Sequence, residues 1–344
     1  MTKIPSQSQV HAWATIAVRD HPNDLSHAFS DHFKVTRQSA VSALKRLVSD
    51  EWLERSGRST RPTYRPGPNR LVSIHETLPN TQEDRLWLDR IAPYLTLEKN
   101  VQELAMYCFT EIFNNASDHS SGQDAFISVR QTKLYLSIQI FDNGVGIFEH
   151  IASKLHLPHR RLAILELSKG KLTTDPARHS GEGIFFSSRM CDSFKIAANN
   201  LEFKHDANEP LDWLQDDDEP SSINGTRVMM HILTNTDRTP MRVFKDYSSD
   251  EGRLGFDKTV VPVRLAKVGA ANLVSRSQAK RLSVGFDKFR IVVLDFAEVD
   301  EIGQAFADEL FRVFANANPT IQLLAVNVTP AVDMMRKRVL ETVR

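Results

Sequence analysis

Cysteine is nearly absent from this chain: 344 residues hold only Cys108 and Cys191, both in apolar surroundings. Two such thiols read as buried side chains rather than a disulfide or a metal ligand, and they fit a reducing compartment. Long apolar runs are missing as well. No stretch is long enough to cross a bilayer and no signal-peptide pattern opens the chain, so the sequence predicts a cytoplasmic protein with no membrane part. Net charge is absent too, with 43 Lys and Arg against 43 Asp and Glu. The neutral sum hides a polarity: Arg55 to Arg70 carries five arginines and no acid, whereas Asp206 to Glu219 carries seven acids and no lysine or arginine. Basic charge gathered at one end suits a polyanion there. The 41% apolar and 25% charged content is that of an ordinary soluble protein. The length predicts two or three domains.

Three pieces of the middle of the chain carry the chemistry. The first, EIFNNASDHS (Glu111 to Ser120), continues an apolar run at Val101, Leu104, Cys108 and Ile112 with helical spacing. Glu111, Asn115 and Asp118 then fall on one helix face, where three polar groups can hold a solvated metal ion and a water. The second, FDNGVGI (Phe141 to Ile147), follows an alternating strand, Leu134, Leu136, Ile138 and Ile140, that delivers Asp142 into a glycine turn. The third, HSGEGIFFSS (His179 to Ser188), sets Gly181 and Gly183 before an apolar run that reads as a helix start, a natural anion site.

These pieces, in this order, resemble the nucleotide site of the GHKL superfamily, which includes gyrase B and the histidine kinases. The resemblance covers roughly residues 95 to 235. It implies ATP and Mg²⁺ as cofactors, with Glu111 as base and Asn115 as magnesium ligand. It also implies that Asp142 hydrogen-bonds the adenine amino group, that Gly144 and Gly146 allow close approach, and that Gly181 and Gly183 meet phosphates through backbone N–H groups. A fourth element, Gly225-Thr226, opens the last strand of that fold. The stretch from Phe148 to Ser180 corresponds to the family's lid, where Lys169, Lys171, Thr173, Thr174 and Arg178 are the polar groups most able to touch a γ-phosphate. A histidine kinase would also need an acceptor histidine on an upstream helix. His75 is the one candidate near that place, and HETLPN does not look like an acceptor box.

Residues 8 to 66 read as three helices and two short strands. Val10, Trp13 and Ile16 give the first helix, Leu25 to Phe33 the second, and Thr36 caps a third with core positions Val41, Leu44 and Leu47. WLERSGRSTRPTYRP follows as a hairpin around a glycine turn. The whole resembles a winged helix-turn-helix. DNA is the implied partner: Arg37, Gln38, Ser42, Lys45 and Arg46 line the outer face of the third helix, and Arg55, Arg58, Arg61 and Arg65 lie on the hairpin for phosphates. A winged helix used only for protein contacts is the alternative. Gly67 to Gln82 reads as a linker with a brief strand at Leu71–Ile74, followed by a helix from Glu83 to Tyr94. The acidic stretch Asp206 to Asn224 reads as a solvated loop.

From about 255 onward strands and helices alternate: TVVPVRLA, SRSQAKRL, RIVVLDF, an amphipathic helix from Ile302 to Ala315 with Phe306, Leu310, Val313 and Phe314 inward, IQLLAV, and a last helix. VVLDFAEVDEIGQAFADEL resembles the STAS-like domains that follow such ATPase domains in some bacterial regulators. Gly303, Gln304 and Ala305 occupy the place where related STAS domains carry a phosphate-accepting serine, so no hydroxyl is there to be phosphorylated in cis. The predicted fold class is thus α/β multidomain: a winged helix-turn-helix (1–75), a GHKL α/β sandwich (76–240) and a small STAS-like α/β domain (255–344). The leading expectation is an ATP-binding, DNA-binding regulator acting as a homodimer, with a protein partner for the STAS-like part. Two other readings stay open, an anti-sigma-type serine/threonine kinase acting in trans and a non-hydrolysing ATP-dependent scaffold.

Overall fold

The computed structural model describes residues 5–79, 81–172, 181–208, 213–216, 224–249, 255–267 and 272–341. The chain is a mixed α/β protein with several sheets. It begins with α1 (Gln7–Asp20), α2 (Leu25–Phe33), α3 (Arg37–Ser49), β1 (Leu53–Arg58), β2 (Arg61–Pro66), β3 (Arg70–Thr77), α4 (Glu83–Arg90), α5 (Lys99–His119), β4 (Asp124–Gln131) and β5 (Tyr135–Asp142). There follow α6 (Ile147–Lys154), α7 (Leu162–Lys169), α8 (Gly183–Met190), β6 (Ser193–Ala198), β7 (Leu201–Asp206), β8 (Trp213–Asp216), β9 (Thr226–Leu233) and α9 (Pro240–Asp246). The C-terminal part has β10 (Lys258–Pro262), α10 (Arg276–Ser283), β11 (Ile291–Asp295), α11 (Gln304–Ala307), a π-helical segment (Asp308–Phe314), α12 (Ala315–Ala317), β12 (Gln322–Val326) and α13 (Pro330–Glu341). Two compact units divide these elements: Met1–Asn143 with Arg227–Asp237, and Gly144–Thr226 with Arg238–Arg344.

In the first unit the three helices and the hairpin stand where spacing predicts them. Ser6 and Gln9 close a reciprocal capping box at the start of α1, and Thr36 accepts the Ser39 N–H at 3.2 Å to start α3. Lys34, in a left-handed conformation at φ 53°, turns the chain sharply between α2 and α3. The core they enclose holds Ala14, Val18, Leu25, Phe29, Ala40, Leu44, Leu47 and Trp52. One predicted core position is corrected. Val41 is 39% exposed, while its neighbour Ala40 is fully buried. Adjacent helix positions differ by about 100°, and here an alanine occupies the closest approach. Counting large apolar residues therefore turns the face of α3 by a step.

The predicted linker is also corrected. Arg70–Thr77 is a full strand, paired antiparallel with β4 from Arg70↔Gln131 to Thr77↔Asp124. Gly67 packs so closely on Glu51 that a Cβ would overlap the Glu51 carbonyl, which folds the chain straight from hairpin to sheet. The Leu71 N–H donates to Thr15 Oγ1 at 3.0 Å, Trp52 stacks on His11, and the Arg130 guanidinium lies 5.8 Å from the Trp52 ring centroid. Helices and sheet thus share one packed body. The helix predicted from Glu83 to Tyr94 stops at Arg90, and Pro93 confines Ala92–Tyr94 to a single 3₁₀ turn. Strands β3, β4, β5 and β9 follow one another in that order. The apolar face of α5 is fully inside, from Val101 to Ala116.

In the second unit β6, β7 and β8 form an antiparallel run. Part of the acidic stretch expected as loop is thus strand, with Leu201↔Asp216 and Lys204↔Trp213 in register. Residues 209–212 and 217–223 of that stretch lie outside the described residues. The C-terminal sheet is parallel, β10-β11-β12, with Val292 and Leu294 of the central strand fully buried. The amphipathic helix exists but widens into its π segment, so Phe311 is buried and Val313 is 37% exposed, against the predicted inward Val313. An i→i+5 turn holds an extra residue and rotates the face.

The corrected helix faces make a prediction. Leu44→Ala should destabilise the first unit by ~2–5 kcal/mol, whereas Val41→Ala should change stability by under about 0.5 kcal/mol. Urea unfolding followed by tryptophan fluorescence measures both. Equal losses would mean that α3 is buried through a different face.

Candidate functional site

α5 presents Glu111, Asn115 and Asp118 on the side away from its buried stripe. Glu111 and Asn115 are half-buried and Asp118 is exposed. Asn115 Nδ2 donates to the Glu111 carbonyl at 2.8 Å, which turns Oδ1 away from the helix. Magnesium takes oxygen ligands, and the protein often supplies only one or two of them beside waters and phosphates. An amide oxygen one turn from a carboxylate fits that chemistry. Asp142 ends β5 opposite Ala125 and is only 4% exposed. The following residue, Asn143, pins the turn: its Oδ1 accepts the N–H groups of Gln123 and Asp124 at 2.9 and 3.0 Å, and its Nδ2 donates to Asp124 Oδ2 at 3.1 Å. Sequence reasoning passed over Asn143, although an Asx residue in a turn is the usual sign of such a clamp.

The glycine motifs belong to the second unit. Gly144 is half-buried; Gly146 is buried with φ +85°, and a Cβ there would overlap the Asn199 amide. Asn199 donates to the Val145 carbonyl at 3.0 Å and accepts the Glu149 N–H at 3.2 Å, so it holds the turn and the first turn of α6 together. No motif pointed to it. The buried Thr226 adds a third tie, its Oγ1 accepting the Ile147 N–H at 3.0 Å. Gly181, at φ +73°, receives the Leu172 N–H on its carbonyl at 3.0 Å and packs too closely on the Leu172 backbone for any side chain. Gly183 is buried and opens α8. Burial holds the intervening Glu182 carboxyl above its ordinary range, with Lys171 partly opposing the shift.

The two lysines read as phosphate contacts are placed differently. Lys169 is 1% exposed, and its ammonium donates to Glu166 Oε1 at 2.7 Å and to the carbonyls of Arg281 and Val284 at 3.2 and 3.0 Å. Burial lowers its pKa, and the Glu166 charge partly opposes this. Lys171 donates to the Lys288 carbonyl at 3.0 Å and lies 4.9 Å from the Phe289 ring centroid. Both therefore serve the C-terminal part of the chain. Thr173, Thr174 and Arg178 lie outside the described residues. His75 is on a strand, not a helix; its Nε2 lies 2.7 Å from Asp124 Oδ1 and its ring stacks on Phe126.

On the N-terminal body Arg37, Gln38, Ser42, Lys45 and Arg46 are all exposed along α3, and Arg55, Arg58, Arg61 and Arg65 are exposed on the hairpin. Register separates the hairpin set. Arg58 pairs with Arg61 and Glu54 with Arg65, so Arg58, Arg61 and Arg65 share one face, while Arg55 lies on the other with Tyr64.

At the C-terminus Gly303 caps α11 and gives its N–H to the Leu273 carbonyl at 2.8 Å. A Cβ at Gly303 would come within 2.7 Å of Val274 Cα, so this position lacks both a hydroxyl and room for one. Around it lie a parallel sheet, a helix entered from a tight turn and a closing helix. Residues 278–333 match the STAS-like domain of unknown function (DUF4325). The STAS-like match covers β11, α11, the π segment, α12 and β12 whole and the start of α13. No curated protein matches the chain. Among the described residues no helix is long and apolar enough to cross a membrane.

The clamp around Gly146 can be tested by substitution. Gly146→Ala should cost ~1–3 kcal/mol through its left-handed backbone and the crowding of Asn199. Adding Asn199→Ala should recover part of that loss in thermal denaturation. Full additivity of the two losses would contradict the crowding.

Proposed function

We propose that this chain is an ATP-binding regulator that binds DNA through its N-terminal helical body, with a STAS-like C-terminal segment for a protein partner. The observation that carries the reading is the order of four nucleotide-site motifs along one chain, each with local structure suited to its role. Support comes from the buried Asp142 carboxylate at a strand end, the left-handed Gly146 and Gly181, and the Glu111–Asn115 face of α5. In this reading Asp142 accepts the adenine amino group and Asn115 Oδ1 supplies one magnesium ligand. Gly181 and Gly183 take the phosphate-side roles that the resemblance gives them, Thr226 opens the last strand beside the nucleotide, and Asp118 borders the same helix face as Asn115. Glu111 holds and orients a water, taking its proton if turnover occurs. The bound nucleotide supplies the phosphoryl chemistry.

The DNA part is supported by nine exposed basic or polar side chains on α3 and the hairpin. A single body of this size makes few base contacts, so two copies on a symmetric site are proposed, with ATP favouring the dimer. Linkage then requires that cognate DNA tighten ATP binding by the same factor. The second reading is a protein kinase acting in trans: the closed, hydroxyl-free Gly303 offers no acceptor for phosphorylation in cis at that place and leaves transfer to a partner open. Incubation with γ-labelled ATP, alone and with lysate, separates phosphate release from transfer to a protein.

Two outcomes are expected. Asp142→Asn should weaken MgATP binding by about 1–3 kcal/mol in calorimetry, and Glu111→Ala should keep binding while losing any turnover; an Asp142→Asn protein with parental affinity sinks the nucleotide reading. Replacing Arg58 and Arg61 with alanine should lower the salt slope of DNA binding by about two units in fluorescence anisotropy. No DNA binding by the parent would move the helical body to protein contacts.

A further inference from the structure

The end of α7 is bound into the C-terminal part of the chain. Five hydrogen bonds and two ring contacts fasten residues 169–171 to residues 259–289, all within the second unit. Lys169 caps the last carbonyls of α10 at Arg281 and Val284, where a helix leaves acceptors unsatisfied and a cation is favoured. Its ammonium has three protons, and Glu166 takes the third. The Lys169 carbonyl in turn accepts the buried Thr259 hydroxyl at 2.6 Å. Lys171 and Lys288 exchange bonds, each ammonium to the other's carbonyl at 3.0 Å. One residue further on, Leu172 donates to Gly181 and fills the space where a Gly181 side chain would be. A continuous path of packed groups therefore runs from the STAS-like segment, through Lys169 and Lys171, to the backbone of the glycine motif.

We infer that Lys169 is a positioning residue: it latches the Gly181–Gly183 loop to the STAS-like segment, so that anion binding at the loop and partner binding at the segment are coupled. A buried, fully bonded ammonium is either seated or withdrawn, which gives the path two discrete arrangements instead of a graded one. Coupling of this kind is reciprocal: whatever stabilises the seated state at one end raises affinity at the other by the same factor. The latch itself is independent of what the loop binds. Its consequence for ATP rests on the nucleotide reading proposed above.

The experiment uses the full chain and three variants. Lys169→Met keeps the apolar stem and removes the charge; Thr259→Val keeps the shape and removes the hydroxyl; Thr259→Ser restores it. Hydrogen exchange of the ligand-free proteins should rise about tenfold in peptides covering 162–172 and 181–190 for Lys169→Met and Thr259→Val. Peptides of β7 should stay at the parental rate, and Thr259→Ser should return the first two to it. MgATP affinity, read by calorimetry, should fall about fivefold in the same two variants and recover in Thr259→Ser. If Lys169→Met does not fold, the threonine pair decides alone. Faster exchange confined to 162–172 and 276–288, with 181–190 unchanged, would overturn the latch and leave Lys169 a local structural residue. Absence of ATP binding in the parent would count against the nucleotide reading only, because the exchange arm still decides the latch.

Discussion

A lysine ammonium sealed from water has to be solvated by the protein, and the second unit is arranged around meeting that need at Lys169. Leaving such a charge without one of its partners costs about 3–5 kcal/mol, so the groups that surround it are held in place as firmly as any apolar core. Glu166 comes from the same helix, one turn back, while the carbonyls of Arg281 and Val284 come from the far end of α10. The constraint fixes where α7 ends, how α10 terminates and where the chain is when it leaves toward the glycine motif. Gly170, between the two lysines at φ +76°, has no room for a side chain because the Phe256 and Phe185 rings stand where a Cβ would be.

The first unit obeys a different constraint. Its helical body and its sheet are joined with no slack, because Gly67 folds the chain against Glu51 and β3 begins three residues later. The Thr15–Leu71 bond, the His11–Trp52 stack and the Lys133–Glu51 ion pair then tie helix, hairpin and sheet into one body. A composition rich in proline and asparagine reads as a linker, yet the alternating Leu71, Val72, Ser73, Ile74 pattern was already that of a strand. Pairing with β4 along eight residues decided between them. Tertiary hydrogen bonding overrode local composition.

Much of the architecture was legible because its signals are local. Caps at Thr36 and Ser275 mark helix starts, alternation marks β5, and an unbroken apolar run marks β11. Errors arose where a local signal had more than one solution. Val41 is large and apolar, but close helix packing selected its neighbour Ala40, and the π segment moved Val313 outward. The motif residues Asp142, Gly146, Gly181 and Thr226 could be found by spacing. Asn143 carried the signal of an Asx residue in a turn, but Asn199 carried none, since its clamping role exists only once the distant backbone of Val145 and Glu149 is brought to it. The destination of Lys169 was hidden for the same reason: nothing near Lys169 in sequence names the carbonyls of residues 281 and 284.

The central claim is that the turn after β5 receives an adenine ring. Photolabelling with 2-azido-ATP and Mg²⁺, followed by mass spectrometry of the digested protein, tests it most directly. The account predicts that the label falls on a peptide containing Asp142 to Ile147 and disappears when unlabelled ATP is added in excess. Label found only in the N-terminal helices or the STAS-like segment, or label that excess ATP does not displace, would contradict it.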